Sequence, residues 1–254
     1  MAEMSENTRQ QDWYASWFDS PYYPLLYRHR DYTEAEDFIH RICQYLQLEP
    51  GSKALDLACG RGRHALVMAH QGLAVTGLDL SESSLMDAQK LADLHPELSL
   101  VFARHDMREI YSELHFDVVF NLFTSFGYFE DDADDSRVLH AIYSALKPGG
   151  LFVFDYLHAP YVQETHVPSE EQVIDQVHFS ISRHLTNDWI IKQIQVKDGE
   201  KEYRFFEKVR NYRPEQLEKL LLEAGFTILR NFGNYQLEPP SSDSPRCLFI
   251  CQKC

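Results

Sequence analysis

Two hydrophobic periods alternate along this chain. Short apolar runs at 54–57, 73–78, 98–103, 116–120 and 151–154 predict buried strands. Between them, apolar residues recur at helical spacing. Residues 63–70 form one such segment, stopped at Gly72, and Ser81 caps another that runs through Leu85, Ala88 and Leu91. A third carries Val138, Leu139, Ile142 and Leu146 and ends at Lys147-Pro148-Gly149-Gly150. Upstream, Thr33 and Glu36 have capping-box spacing, and Ala35, Phe38, Ile39, Ile42 and Leu46 predict a helix that Pro50-Gly51 stops. Short strands alternating with helices imply a parallel sheet covered on both faces.

The rhythm changes after residue 170. Strand-like stretches at 172–179, 181–185, 189–196 and 203–210 follow one another without helices, with Asn187-Asp188 and Asp198-Gly199 as turn signals. This predicts an antiparallel insertion. A helix resumes at Pro214, passes through Leu217, Leu220, Leu221 and Ala224, and stops at Gly225; 226–231 and 247–251 read as final strands. Near the N-terminus, Trp13, Tyr14, Trp17, Phe18, Tyr22, Tyr23 and Tyr27 are too dense for a disordered tail and are expected to pack on the body or a ligand. The expected organisation is an aromatic N-terminal segment (1–32), a main domain (33–157 and 212–254) and an inserted β subdomain (158–211).

Composition narrows the function classes. The 254 residues carry a formal charge of −15, with no visible basic stripe, which weighs against a nucleic-acid substrate. No apolar run approaches the ~20 residues of a membrane span, and the N-terminus lacks a signal-peptide pattern. Five cysteines, an odd number, predict reduced thiols and a cytoplasmic location. Cys251 and Cys254 have no second pair, and the acidic run from Glu130 to Asp135 reads as a solvated helix start, so no metal is expected.

Three constellations carry chemistry. In the first, a buried strand holding Asp56 leads through Ala58-Cys59-Gly60-Arg61-Gly62 into a helix, and the glycines allow a ligand to approach the backbone closely. Gly60-x-Gly62-x-x-Ala65 formally satisfies the dinucleotide fingerprint. Asp56 separates the readings, because a carboxylate beside the turn repels a pyrophosphate and attracts an ammonium. That tips the balance toward S-adenosylmethionine, which carries an ammonium and a sulfonium and no phosphate. The second is Asp79, at the end of the second strand, where a carboxylate can accept hydrogen bonds from both hydroxyls of a ribose. The third is Asp106-Met107, an acceptor and an apolar neighbour suited to an adenine amino group and ring face.

Asp56-x-x-x-Gly60-x-Gly62, Asp79, Asp106-Met107 and the 146–150 turn together resemble the ordered motifs of class I S-adenosylmethionine-dependent methyltransferases, in the small-molecule branch with a β insertion after the fifth strand. The resemblance covers roughly residues 35–155, and Ala58 stands where the family usually has its first glycine. It implies a Rossmann-like, doubly wound, mostly parallel seven-stranded sheet with an antiparallel insertion. It further implies that Asp56 and the backbone of Ala58, Cys59, Gly60 and Gly62 hold the methionine moiety. Asp79 and Leu80 would serve the ribose, and Asp106 and Met107 the adenine.

Residues 121–129, including Asn121 and Phe123, would face the transferred methyl, and Tyr27 and Arg28 would contact the cofactor from an N-terminal lid. An oxygen nucleophile would want a base, with Tyr128, Asp155 or His158 as candidates. The expected activity is methyl transfer to a nitrogen or oxygen of a small molecule, in a monomer or homodimer with no nucleic-acid or membrane partner. A methyltransferase acting on RNA or protein, a catalytically silent cofactor-binding module and, more remotely, an NAD(P) oxidoreductase are the alternatives.

Overall fold

The structure, a computed structural model, describes residues 13–28 and 32–254. Two short helices, α1 (Trp13–Phe18) and α2 (Tyr22–Leu26), precede α3 (Tyr32–Leu46). Then come β1 (Lys53–Leu57), α4 (Arg63–His70), β2 (Ala74–Asp79), α5 (Glu82–Leu94), β3 (Leu100–Arg104), β4 (Phe116–Asn121), α6 (Asp132–Ala145) and β5 (Leu146–Leu157). A helix α7 (Ala159–Thr165) leads into β6 (Ser169–Ile174), β7 (Val177–Leu185), β8 (Trp189–Asp198) and β9 (Lys201–Arg210). The chain closes with α8 (Pro214–Glu223), β10 (Phe226–Phe232) and β11 (Arg246–Lys253).

Seven strands form one sheet in the order β10-β11-β5-β4-β1-β2-β3, parallel except for β11, which runs antiparallel to both its neighbours. Alternation along the central strands supplies two apolar faces. Val118, Phe120, Val153, Leu248 and Ile250 pack under α3 and α4, against Phe38, Ile42 and Met68. Leu55, Val119, Phe152, Phe154 and Phe249 pack under α6 and α8, against Leu139, Ile142, Leu217 and Leu221. The crossover from β1 to β2 to β3 runs outward in one direction, and the chain returns to β4 on the other side of β1. The carboxyl ends of β1 and β4 therefore border the topological switch point, where open α/β sheets bind ligands.

Strands β6–β9 form a separate antiparallel sheet in sequence order. Its inner face carries Phe179, Ile181, Ile194 and Val196, which pack against Trp13, Trp17, Tyr22 and Leu26. The N-terminal aromatics thus bury themselves on the second sheet, with Trp17 fully enclosed. Asp19 ties the same segment to the main sheet's side, accepting hydrogen bonds from the Ser81 and Ser83 hydroxyls at the start of α5.

Four local expectations change. Helix α3 already includes Tyr32, so the Thr33/Glu36 pair lies inside its first turn. The β6–β7 turn falls at Asp175-Gln176, both left-handed (φ 48° and 68°), inside a stretch whose apolar alternation reads as one continuous strand. No glycine marks it. Helix α7 carries too few apolar positions to show a period. The acidic run does start α6, with Asp131 accepting from the Ala133 amide, but Asp135 is fully buried and accepts from the Tyr212 hydroxyl at 2.8 Å.

Candidate active site

The glycine-rich turn leaves β1 in a series of left-handed residues: Ala58 (φ 60°), Gly60 (φ 55°) and Gly62 (φ 80°). The two glycines serve different ends. A Cβ on Gly62 would lie 2.6 Å from the Phe102 ring, so Gly62 lets α4 pack onto the sheet. A Cβ on Gly60 would meet no atom within 4 Å, because that side of the turn faces open space. Asp79 fixes the turn from β2, its Oδ2 accepting from the Gly60 amide and its Oδ1 from the Ser81 amide, both at 2.8 Å. Burial raises the Asp79 carboxyl above its ordinary pKa, against the pull of those amides.

Asp56 lies beneath the turn at 2% exposure, and its Oδ2 has no hydrogen-bond partner among the described residues. Burial and the neighbouring Asp79 carboxylate push its pKa up to about 7, opposed by the Ala65 amide and by Arg63. A buried carboxylate oxygen without a donor is costly unless a ligand completes it.

These groups open onto a cavity of about 590 Å³ between the carboxyl ends of the main-sheet strands and the inner face of the second sheet. That volume is within the ~300–1,000 Å³ usual for small-molecule sites. Of the residues singled out from the sequence, Asp56, Ala58, Cys59, Gly60, Asp79, Leu80, Asp106, Met107, Phe123, Tyr27, Arg28 and Tyr128 line it.

Three do not. Gly62 is occupied with helix packing. Asn121 is buried behind the wall, its Nδ2 donating to the carbonyls of Leu57 and Ser125. His158 precedes α7 with its Nδ1 on the Ser244 carbonyl at 2.8 Å, so it is not placed as a base.

Others line the cavity with their polar groups engaged. Asp106 is held by Arg108, through Nε and Nη2, and that hydrogen-bonded pairing keeps its carboxyl below the usual range. Arg28 forms an exposed ion pair with Asp175. Burial drives the Tyr128 phenol far above its ordinary pKa, which disfavours a phenolate base at neutral pH. Asp155, by contrast, does not line the cavity: it is fully buried and accepts from the Phe123 amide (2.7 Å), the Tyr235 hydroxyl (2.9 Å) and Arg246 Nε (2.8 Å). It braces the left-handed Phe123-Thr124 turn (φ 57° and 62°), a positioning role and not that of a base.

A family profile described as a methyltransferase domain matches residues 54–150. A crystal structure of an S-adenosylmethionine-dependent methyltransferase from Clostridium acetobutylicum superposes with a TM-score of 0.76 at 25% identity, covering 91% of this chain and 96% of that one. A Bacillus subtilis protein that bears the name methyltransferase YqeM is 30% identical over 243 residues, 91% of this chain and 94% of its own length. The chain belongs to the class I S-adenosylmethionine-dependent methyltransferases. The sugar N-methyltransferase KedS8 of Streptoalloteichus shares the fold, with a TM-score of 0.71 at 21% identity over 91% of this chain and 92% of that one.

The site of this methyltransferase suits its cofactor, S-adenosylmethionine, on its own geometry. The incomplete Asp56 oxygen calls for a donor or cation, and the open side of Gly60 leaves room against the backbone. Asp56, buried directly beneath the turn, disfavours a pyrophosphate there.

Sequence reasoning missed the opposite wall. Lys192 and Glu207 face the cavity from β8 and β9, and Glu207 accepts from the Tyr27 hydroxyl (2.6 Å) and from Trp17 Nε1 (2.7 Å). Arg246, at the start of β11, also lines it. Alternation in β8 and β9 was visible, but which register positions overhang the site depends on how the second sheet is docked.

Proposed function

We propose that this methyltransferase moves a methyl group to a nucleophilic nitrogen or oxygen of a small molecule, by in-line displacement. The observation that carries the reading is the roof: the second sheet and α1–α2 cover the cavity, whose volume of about 590 Å³ suits a small acceptor beside the cofactor. The charge of −15 supports it against RNA, and the five free cysteines, four of them buried, support a reducing, cytoplasmic setting.

In this reading Asp56 and the 58–60 backbone hold the methionine moiety, Asp79 and Leu80 the ribose, and Met107 with Asp106 the adenine. Tyr27 and Phe123 border the reacting end. When bound, S-adenosylmethionine supplies an electrophilic methyl on a sulfonium. The chain contributes alignment, worth an amount on the order of 7–11 kcal/mol in well-oriented systems, and exclusion of water by the aromatic roof. An amine acceptor would need only to arrive neutral, consistent with the engaged state of Tyr128, Asp155 and His158.

The test is to incubate the purified protein with methyl-labelled S-adenosylmethionine and a fractionated cell extract. Label in the low-mass fraction is expected. Label in RNA or protein instead would overturn the small-acceptor reading, and tight S-adenosylhomocysteine binding without any transfer would favour a silent binding module.

A further inference from the structure

The inner face of the second sheet is apolar except along one row. Cross-strand register pairs Arg183 of β7 with Lys192 of β8, and Lys192 with Glu207 of β9. The next row inward on that face is Ile181, Ile194 and Phe205, and the next row outward is Leu185, Ile190 and Val209. Lys192 and Glu207 pair with each other across the row at 3.5 Å and both engage the Tyr27 hydroxyl, while Arg183 stands beside Lys192 as a like charge, a placement that costs energy unless an anion meets it. All three line the cavity.

The two arginines are presented to the cavity and their partner carboxylates stand behind them. Arg183 is held by Glu170 and by the Val167 carbonyl, and Arg246 by Asp155 and the Thr124 hydroxyl. Neither Glu170 nor Asp155 lines the cavity, while both guanidinium groups do. Arg183 Nε and Arg246 Nη1 make no hydrogen bond among the described residues. Leu157, the register partner of Arg246, leads through α7 to Val167, and Leu157 and Val162 of this segment line the cavity together with both arginines. Guanidinium groups oriented from behind, with donors left over, are the usual means of reading planar or tetrahedral oxyanions.

We propose that the methyl acceptor carries an oxyanion, a carboxylate or a phosphate, bound by Arg183 from the second sheet and Arg246 from the main sheet. Lys192, in the same row, is balanced by Glu207. The proposal rests on the small-acceptor reading and supplies its substrate class: one side of the cavity, with Asp56 and Asp79, suits a cation, and the other suits an anion.

Calorimetric titration of the S-adenosylhomocysteine-loaded protein with succinate and with inorganic pyrophosphate tests it, against sodium chloride at equal ionic strength. Saturable binding of one probe is expected, weakened about tenfold or more in Arg183→Gln, as for loss of a charge-assisted hydrogen bond. Preference for succinate identifies a carboxylate and preference for pyrophosphate a phosphate. Arg183→Gln removes a partly exposed ion pair, and unchanged S-adenosylhomocysteine binding shows that the variant is folded. Arg246→Lys, which keeps a cation beside Asp155, should also weaken the probe. If neither probe saturates, or if Arg183→Gln binds as well as the natural chain, the proposal fails. Failure of the natural chain to bind S-adenosylhomocysteine at all would instead remove the reading on which it rests.

Discussion

The buried carboxylate under the glycine turn makes cofactor affinity depend on pH in a calculable way. Asp56 has its pKa raised from 3.8 to about 7, first by burial and then by Asp79. Between those two values the folded, ligand-free chain holds a proton that the unfolded chain releases, so stability falls as pH rises through this window and levels off above about 7. Keeping Asp56 ionised without a counter-ion at pH 7 and above costs on the order of 4 kcal/mol relative to an ordinary carboxylate.

A ligand ammonium favours the ionised form, so binding must expel that proton wherever it is still present. The dissociation constant for S-adenosylhomocysteine should therefore fall about tenfold per pH unit from about pH 5 to about pH 7, then flatten. Calorimetry in two buffers of different ionisation enthalpy counts the protons released: close to one at the acid end and close to none at about pH 8. Asp56→Asn should abolish this pH dependence and match the natural chain's affinity only at the acid end. A flat affinity profile, or no proton release at about pH 5.5, would refute the assignment of Asp56 to a ligand cation.

Gly60→Ala and Gly62→Ala should separate binding from stability. The Gly62 variant, with left-handed strain and its Cβ 2.6 Å from Phe102, should lose about 2–4 kcal/mol in urea unfolding, while the Gly60 variant loses only the left-handed strain, about 1 kcal/mol, and also loses S-adenosylhomocysteine affinity by calorimetry. Ala58→Gly should stabilise the chain by about 1 kcal/mol in the same assay, because Ala58 sits at φ 60°. Asp135 is buried with a pKa pushed up to about 7, so Asp135→Asn, whose amide oxygen can still accept from Tyr212, should gain about 1–3 kcal/mol over the natural chain at about pH 8 and little at about pH 5. A variant less stable than the natural chain at the higher pH would show that Arg210, which favours the charged form of Asp135, outweighs desolvation.

The main sheet was legible because its strands are buried on both faces and punctuated by Ser81, Gly72 and Gly225, and the cofactor half of the site followed from it. Asp56 and Asp79 stand at strand ends, where a parallel sheet fixes the direction in which ligands are met. Gly60 and Gly62 were indistinguishable as letters, since both need φ > 0; only packing against Phe102 assigns one to the fold and leaves the other at the cavity. Asp106 and His158 were placed by proximity to strand ends, but local partners, Arg108 and the Ser244 carbonyl, decide where their polar atoms point.

The second-sheet wall of the cavity was hidden for a different reason. Whether a strand residue faces core or cavity depends on register, and register in the second sheet is set by turns such as Asp175-Gln176 that carry no glycine signal. Lys192 and Glu207 share the parity of Ile194 and Phe205, so their alternation marks them as inward-facing, and inward-facing charges ordinarily argue against a strand assignment. They are tolerated because they pair with each other and because Trp17 Nε1 and the Tyr27 hydroxyl donate to Glu207 under the N-terminal cover. Both functions thus fall on one continuous surface: the inner rows hold the N-terminal aromatics, and the charged row begins where Tyr27 passes Glu207. A one-residue shift of the β7–β8 register would turn a strand's whole inner set to the other face, Arg183 together with Phe179 and Ile181 or Lys192 together with Ile194 and Val196, so the apolar packing on the N-terminal aromatics fixes the register that aims the charged row at the cavity.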